Sequence, residues 1–212
     1  MNFKKEIFFN LTGAALLAAL VLSLTYTQVE ISLSINQFHR PALDVLCFLG
    51  THLGDGIFSV VVALIFLFVN RKAGVLISIS YLSSALVAQV LKRLIFADIH
   101  RPLWHLEKLT NVIYYVPGGA EKVFHNSFPS GHTTSAFALF SMLALLSKQP
   151  ALKVLCFFLA AFVAFTRIYL LQHFLIDTMA GALLGTIVSY LVYAQLFEKG
   201  KLNKIILYPN KV

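Results

Sequence analysis

Six apolar runs, each close to the length that crosses a bilayer, are joined by short polar or basic turns, and that alternation leaves few folds open to this chain. The runs are Ile7–Leu24, Leu43–Val69, Ala73–Ile95, His132–Leu146, Ala151–Phe165 and Leu175–Phe197. Without water to satisfy backbone N–H and C=O groups, such runs cross lipid as helices, so the expected fold is an all-α integral membrane protein, a bundle of six transmembrane helices in one domain over Met1–Val212. Composition agrees: 58% of residues are hydrophobic and 12% charged, where soluble domains hold about 25% charged residues. Lys4 and Lys5 ahead of the first run resemble the start of a signal peptide, but Thr25–Gln28 shows no small-x-small cleavage pattern, so a retained first helix is expected. The net charge of +8 needs no nucleic acid to explain it, because basic ends are usual in membrane proteins. Cys47 and Cys156 lie singly in apolar runs without metal-ligand spacing.

Several polar residues interrupt this pattern. Asp44, His52 and Asp55 break the first half of the second run, and His52 and Asp55, at i,i+3 spacing, read as a buried pair bonding helix to helix rather than as catalytic groups. Ser78, Ser80, Ser83, Ser84 and Ala85 in the third run are small enough to let helices approach closely. The loop Phe96–Phe128 carries Trp104, Tyr114, Tyr115 and Phe124, which places it against the bilayer interface, and loops of that length are commonly functional.

After that loop comes F-H-N-S-F-P-S-G-H-T-T-S, Phe124–Ser135. Pro129 favours a turn, Ser130 is a good N-cap, and Gly131 lets a ligand approach the backbone of the helix that follows. The free N–H groups and dipole of a helix start attract an anion, and His132 sets an imidazole beside it. Taken alone, Pro-Ser-Gly is also ordinary helix-start punctuation. What adds weight is that two other segments end on the same expected face. One brings Lys92, Arg93, Arg101 and Pro102; the other brings Arg167, His173 and Asp177. Arginine forks, a lysine point charge and helix-start amides are what a phosphate requires. His173 and Asp177 are four residues apart and share one helix face, where a carboxylate holds one ring nitrogen protonated and leaves the other as nucleophile or base. Singly, Lys92 and Arg93 read as snorkelling side chains and Asp177 as an ion-pair partner of Arg167.

Together these segments resemble the three-part signature of the type-2 phosphatidic acid phosphatase superfamily, which also includes vanadium haloperoxidases: a lysine shortly before Arg-Pro, then Pro-Ser-Gly-His, then Ser-Arg, five residues, His, three residues, Asp. The second part is complete at Pro129–His132. The third part runs from Arg167 through His173 to Asp177, with Thr166 in place of the serine. The first part departs, since eight residues separate Lys92 from Arg101 where the family usually has six, and either Lys92 or Arg93 fits as the phosphate-facing cation, with Lys92 preferred if Phe96–His100 bulges. The resemblance implies that His173 attacks phosphorus to form a phosphohistidine, that Asp177 orients it, and that His132 protonates the leaving oxygen. It further implies that Lys92, Arg101, Arg167, the Ser130 hydroxyl and the Gly131 amide hold the phosphate, with no metal or other cofactor.

The implied partner is a lipid-linked phosphate in the bilayer, with lipid A or undecaprenyl diphosphate favoured and phosphatidylglycerol phosphate or phosphatidic acid as the alternative. No nucleic acid or obligate protein partner is expected. Lys4, Lys5, Arg71, Lys72, Lys148, Lys153 and the tail lysines Lys199, Lys201, Lys204 and Lys211 collect on one side, which makes that side and both termini cytoplasmic and the site periplasmic in a bacterial inner membrane. An anion transporter or channel is the competing class. It shows no paired broken segments in two related halves and leaves the His173–Asp177 spacing without a purpose.

Overall fold

A computed structural model describes residues 7–110, 112–117, 120 and 122–198, so the basic ends at Lys4–Lys5 and Lys199–Lys211 lie outside the described residues. The helices are α1 (Ile7–Thr25), α2 (Gln28–Asn36), α3 (Pro41–Gly50), α4 (Gly56–Val69), α5 (Arg71–Val90), α6 (Pro102–Leu106), α7 (Gly131–Leu146), α8 (Pro150–Tyr169) and α9 (Leu175–Tyr193). Among the described residues, α1, α5 with its extension to Ile95, α8 and α9 with its extension to Phe197 are long and apolar enough to cross a membrane. A fifth crossing exists if α3 and α4 are taken as one span, and α7 is apolar but shorter. The chain is therefore an all-α, multi-pass membrane protein with four to five spans by length and composition, against the six expected.

The second run differs most from its expected form. It is two helices bent by 54°, joined by a 3-10 turn at Thr51–Gly54 and by Asp55 in extended conformation. The polar residues His52 and Asp55 within the apolar run mark the place where its first helix ends. Elsewhere the expected runs gain a turn: α8 extends four residues past Phe165 to Tyr169 and so carries Thr166 and Arg167 on the helix itself.

The short helix α7 is the centre of the bundle, buried along nearly its whole length between α5, α8 and α9. Glycines make its contact with α9 possible. A Cβ on Gly181 would sit 2.7 Å from the Ser130 carbonyl oxygen, and one on Gly185 would sit 2.5 Å from that of Thr134, so the two backbones touch directly. Serines add polar contacts at the same level: Ser80 Oγ lies 2.6 Å from Ser189 Oγ, which donates to the Ala138 carbonyl at 2.8 Å. Of the serines expected to permit close packing on α5, Ser80 and Ser84 are fully buried. Phe8 of α1 packs edge-on against Phe137 and Phe157, which fixes α1 to the bundle. Outward residues such as Ile57, Phe68 and Leu86 are exposed, as a lipid-facing surface requires.

The long loop folds back over one end of the bundle. Leu103 and Leu106 of α6 are buried with Leu171, beside Val29 and Leu33 of α2. Asn36 grips the loop by donating to the Tyr115 carbonyl (2.7 Å) and accepting from its amide (2.8 Å). The loop is thus a packed cover over the end of the bundle where the polar segments meet.

Candidate active site

Three loops and two helix starts converge beneath that cover. Ser130 caps α7, its Oγ accepting from the Thr133 amide (3.5 Å) and from Thr133 Oγ1 (3.0 Å). Its own amide donates to the Asp177 carbonyl at 3.0 Å, which ties the start of α7 to the first turn of α9. A Cβ built on Gly131 meets nothing within 4 Å, so the next residue opens on clear space.

His173 lies between α8 and α9, outside the spanning segments, and is only 1% exposed. Its amide donates to the Arg167 carbonyl at 3.1 Å, so Arg167 positions the backbone of the loop that carries it. Its Nδ1 is 3.4 Å from Asp177 Oδ2. That carboxylate oxygen is held by two further donors, Ser127 Oγ at 2.5 Å and the Phe174 amide at 2.9 Å. Burial, then the neighbouring Arg101, Arg167 and Lys92, hold the His173 pKa well below the usual histidine value, so the ring is neutral with a lone pair available. Ser127 is fully buried and was not singled out by the motif, although it sits within Phe124–Ser135 three residues before Ser130.

The cations come from three directions. Arg101 follows the long turn after α5. Its amide donates to the Phe124 carbonyl (2.9 Å), its Nε to the His125 carbonyl (2.9 Å), and one terminal nitrogen to the Gln172 carbonyl (3.2 Å) and side-chain oxygen (3.1 Å). It thereby pins the loop before α7 to the loop before α9. Arg167, 7% exposed, donates to Thr51 Oγ1 at 2.8 Å. Lys92 lies within electrostatic reach of Arg101, Arg167 and Asp177, whereas Arg93 points outward and is exposed. Of the two cations between which the sequence does not choose, Lys92 is thus the one nearer the other charged groups. The extra residues relative to the family spacing are taken up partly by a π-helical turn at Leu91–Ile95, which widens the end of α5, and partly by the turn at Phe96–Ile99. The bulge expected at Phe96–His100 therefore starts one turn earlier.

The fourth wall was not expected. His132 Nε2 is 2.6 Å from Asp55 Oδ1, and Asp55 Oδ2 is 2.5 Å from His52 Nδ1. The His52–Asp55 pair forms as its spacing indicated, but it is not buried: the two side chains are 56% and 30% exposed, and the carboxylate turns towards His132. Thr51, His52, Asp55, His132, Arg167 and Gln172 line a cleft of about 260 Å³. A second, more apolar hollow of about 420 Å³ lies beside Phe96, Ile99, Phe128, Phe174 and Ile176 and reaches Asp177. His125, Asp98 and His105, whose roles the sequence left open, stand at its rim or in the cover: the His125 backbone binds Arg101, while the His105 ring packs edge-on against Phe174. Among the described residues, no group of three or more His, Cys, Asp or Glu side chains is placed to hold a metal ion.

A family model of the PAP2 superfamily matches residues 73–201, more than half of the chain and all of the segments above except the broken second span. The chain belongs to the PAP2 superfamily. It is a multi-pass membrane hydrolase of that superfamily. Two solved PAP2-type structures share the fold. Aquifex aeolicus LpxE is 23% identical with a TM-score of 0.67, over 77% of this chain and 92% of that one. The first transmembrane PAP2 type phosphatidylglycerolphosphate phosphatase from Bacillus subtilis is 22% identical with a TM-score of 0.63, over 98% of this chain and 100% of that one. No curated protein matches the sequence.

Proposed function

We propose that this PAP2 enzyme removes a terminal phosphate from a glycerophospholipid phosphomonoester, of the phosphatidylglycerol phosphate or phosphatidic acid class, by way of a phosphohistidine. The observation that carries the mechanism is His173 itself: it is 1% exposed, its Nδ1 lies 3.4 Å from Asp177 Oδ2, and Arg101, Arg167, Lys92 and His132 are near enough to act on its charge. In the first step the His173 lone pair attacks phosphorus and the bond from phosphorus to the lipid oxygen breaks, with His132 supplying the proton that leaves with the lipid alcohol. Asp177 holds the opposite ring nitrogen and stabilises the charge that His173 gains. Water then attacks the phosphohistidine, His132 takes its proton, the P–N bond breaks and inorganic phosphate leaves. Lys92, Arg101, Arg167 and the Gly131 amide stabilise the equatorial oxygens throughout. Both bonds at Ser130 Oγ are ones it accepts, so its O–H remains a donor for phosphate while the residue caps α7. Those fixed cations perform the charge neutralisation that other phosphoryl-transfer enzymes assign to Mg²⁺.

Lipid A or undecaprenyl diphosphate was favoured by the sequence, but end-to-end similarity in length and fold to a phosphatidylglycerolphosphate phosphatase supports the alternative. LpxE has the higher TM-score but over a smaller part of this chain. The distribution of basic residues supports a bacterial inner membrane with the site on the periplasmic side, a topology that requires α7 as a short sixth crossing. Phosphate release from short-chain phosphatidylglycerol phosphate, phosphatidic acid, undecaprenyl diphosphate and lipid A, with His173→Ala as control, tests the proposal. Turnover fastest on the first two and abolished in the variant is the expected result. Turnover confined to the last two overturns the substrate class. Anion flux in liposomes without phosphate release from any lipid overturns the enzymatic reading.

A further inference from the structure

The broken second span has no counterpart in the three-part signature, yet it forms one wall of the cleft. Two of its residues bind the machinery directly: Thr51 Oγ1 accepts from Arg167 at 2.8 Å, and Asp55 Oδ1 lies 2.6 Å from His132 Nε2. The break is locked in place. A Cβ on Gly54 would fall 2.7 Å from the His132 carbonyl oxygen and 2.6 Å from Val163, so only glycine lets this turn lie against the start of α7. Immediately after it, Asp55 is in extended conformation, which ends the turn and aims the carboxylate across the cleft. Its second oxygen is taken by His52 Nδ1 at 2.5 Å, leaving the carboxylate little freedom to rotate.

We propose that Asp55 is a positioning residue for the acid–base step, holding His132 by one ring nitrogen and stabilising the imidazolium that must form there. The proposal rests on His132 acting as the proton donor described above. The charged and titratable groups around the ring are Asp55, Arg167, Arg101 and His173, with His52 behind Asp55. Burial and two guanidiniums oppose a further positive charge on His132, and Asp55 is the carboxylate that acts against them. As phosphorus transfers to His173, the proton on the free nitrogen of the His132 imidazolium passes to the lipid oxygen. The ring is then neutral, still held by Asp55, and accepts one proton from the water that attacks the phosphohistidine. The ring ends protonated, as it began. In this arrangement Asp55 never gives up or takes a proton; it fixes which nitrogen faces the leaving oxygen.

The test is leaving-group dependence, which separates proton donation from a general loss of fold. The ratio of kcat/KM for p-nitrophenyl phosphate to that for phenyl phosphate is measured in detergent for wild type, His132→Ala and Asp55→Asn. The better leaving group needs the acid less, and a ratio of two substrates does not depend on how much enzyme is folded. The ratio is expected to rise roughly 10²-fold in His132→Ala and roughly 10-fold in Asp55→Asn. In Asp55→Asn, the limb of the pH–rate profile assigned to His132 is also expected to move to lower pH. A rise in His132→Ala with a wild-type ratio in Asp55→Asn, including an equal loss on both substrates, overturns the role of Asp55 and leaves the acid in place. A wild-type ratio in both variants overturns the assignment of His132 as acid, and the role of Asp55 with it.

Discussion

Replacing Ser127 with alanine removes one hydrogen bond from the most buried part of the site. Ser127 Oγ donates to Asp177 Oδ2 at 2.5 Å and lies 3.4 Å from His173 Nδ1, and all three residues are at most 1% exposed. In the variant that oxygen keeps the Phe174 amide and the longer contact to His173. A hydrogen bond to a charged group contributes roughly 1.5–3 kcal/mol. If the bond stabilises Asp177 most when His173 gains charge in the transition state, its loss lowers kcat by roughly 10- to 10²-fold, at about 1.4 kcal/mol per factor of ten. KM should change little, because Ser127 is fully buried and does not line the cleft beside His132 and Arg167. Steady-state hydrolysis of p-nitrophenyl phosphate in detergent gives both constants, and gel filtration confirms that the variant remains monodisperse. Wild-type kcat would refute the reasoning. So would a rise, since that would mean Ser127 competes with His173 for Asp177 rather than holding the carboxylate for it.

Three further outcomes follow from the geometry. Lys92→Ala is expected to lower kcat/KM by roughly 10²-fold, as loss of one transition-state donor does, while Arg93→Ala, outside the site, stays within about twofold of wild type; equal losses would place both cations on the phosphate. Gly181→Ala forces a Cβ to within 2.7 Å of a backbone oxygen and should cost about 1–3 kcal/mol, lowering the melting midpoint by roughly 2–10 °C. Gly131→Ala, with open space around its Cβ, serves as the comparison and should melt close to wild type. Because the folded state holds the His173 pKa below the unfolded value near 6.5, the unfolded chain binds the extra proton first as pH falls. Wild-type stability should therefore drop between pH 6.5 and 5 more than that of His173→Gln, and parallel thermal-melt curves would contradict this.

Which polar residues come together was more legible in the sequence than how the helices are laid out. His132, His173, Asp177, Arg101 and Arg167 were legible because each sits in a short segment whose spacing survives any arrangement of the helices, and the structure brings them together. Helix starts were legible for the same local reason: Ser130 caps α7 as its type dictates. The number of spans was less so, because hydropathy cannot tell one helix with polar interruptions from two helices at an angle. Asp55 is the residue most affected by that ambiguity. Paired with His52 by spacing, it looked self-contained, and its second partner, His132, is 77 residues away across the break. Ser127 was overlooked because a serine in a polar loop has no spacing to distinguish it; only its burial against Asp177 does. Gly181 and Gly185, four apart in the last run, did carry a close-packing pattern, and counting small residues there as on α5 would have found the α7–α9 contact.

The account depends most on His173 as the atom that receives phosphorus. Rapid base quench of the enzyme turning over a phosphate-labelled lipid phosphomonoester, followed by mapping of the labelled peptide by mass spectrometry, measures this directly. Label on His173 that is acid-labile and is absent from His173→Ala is the predicted result. Label on another residue, or phosphate release by His173→Ala at the wild-type rate, would contradict it.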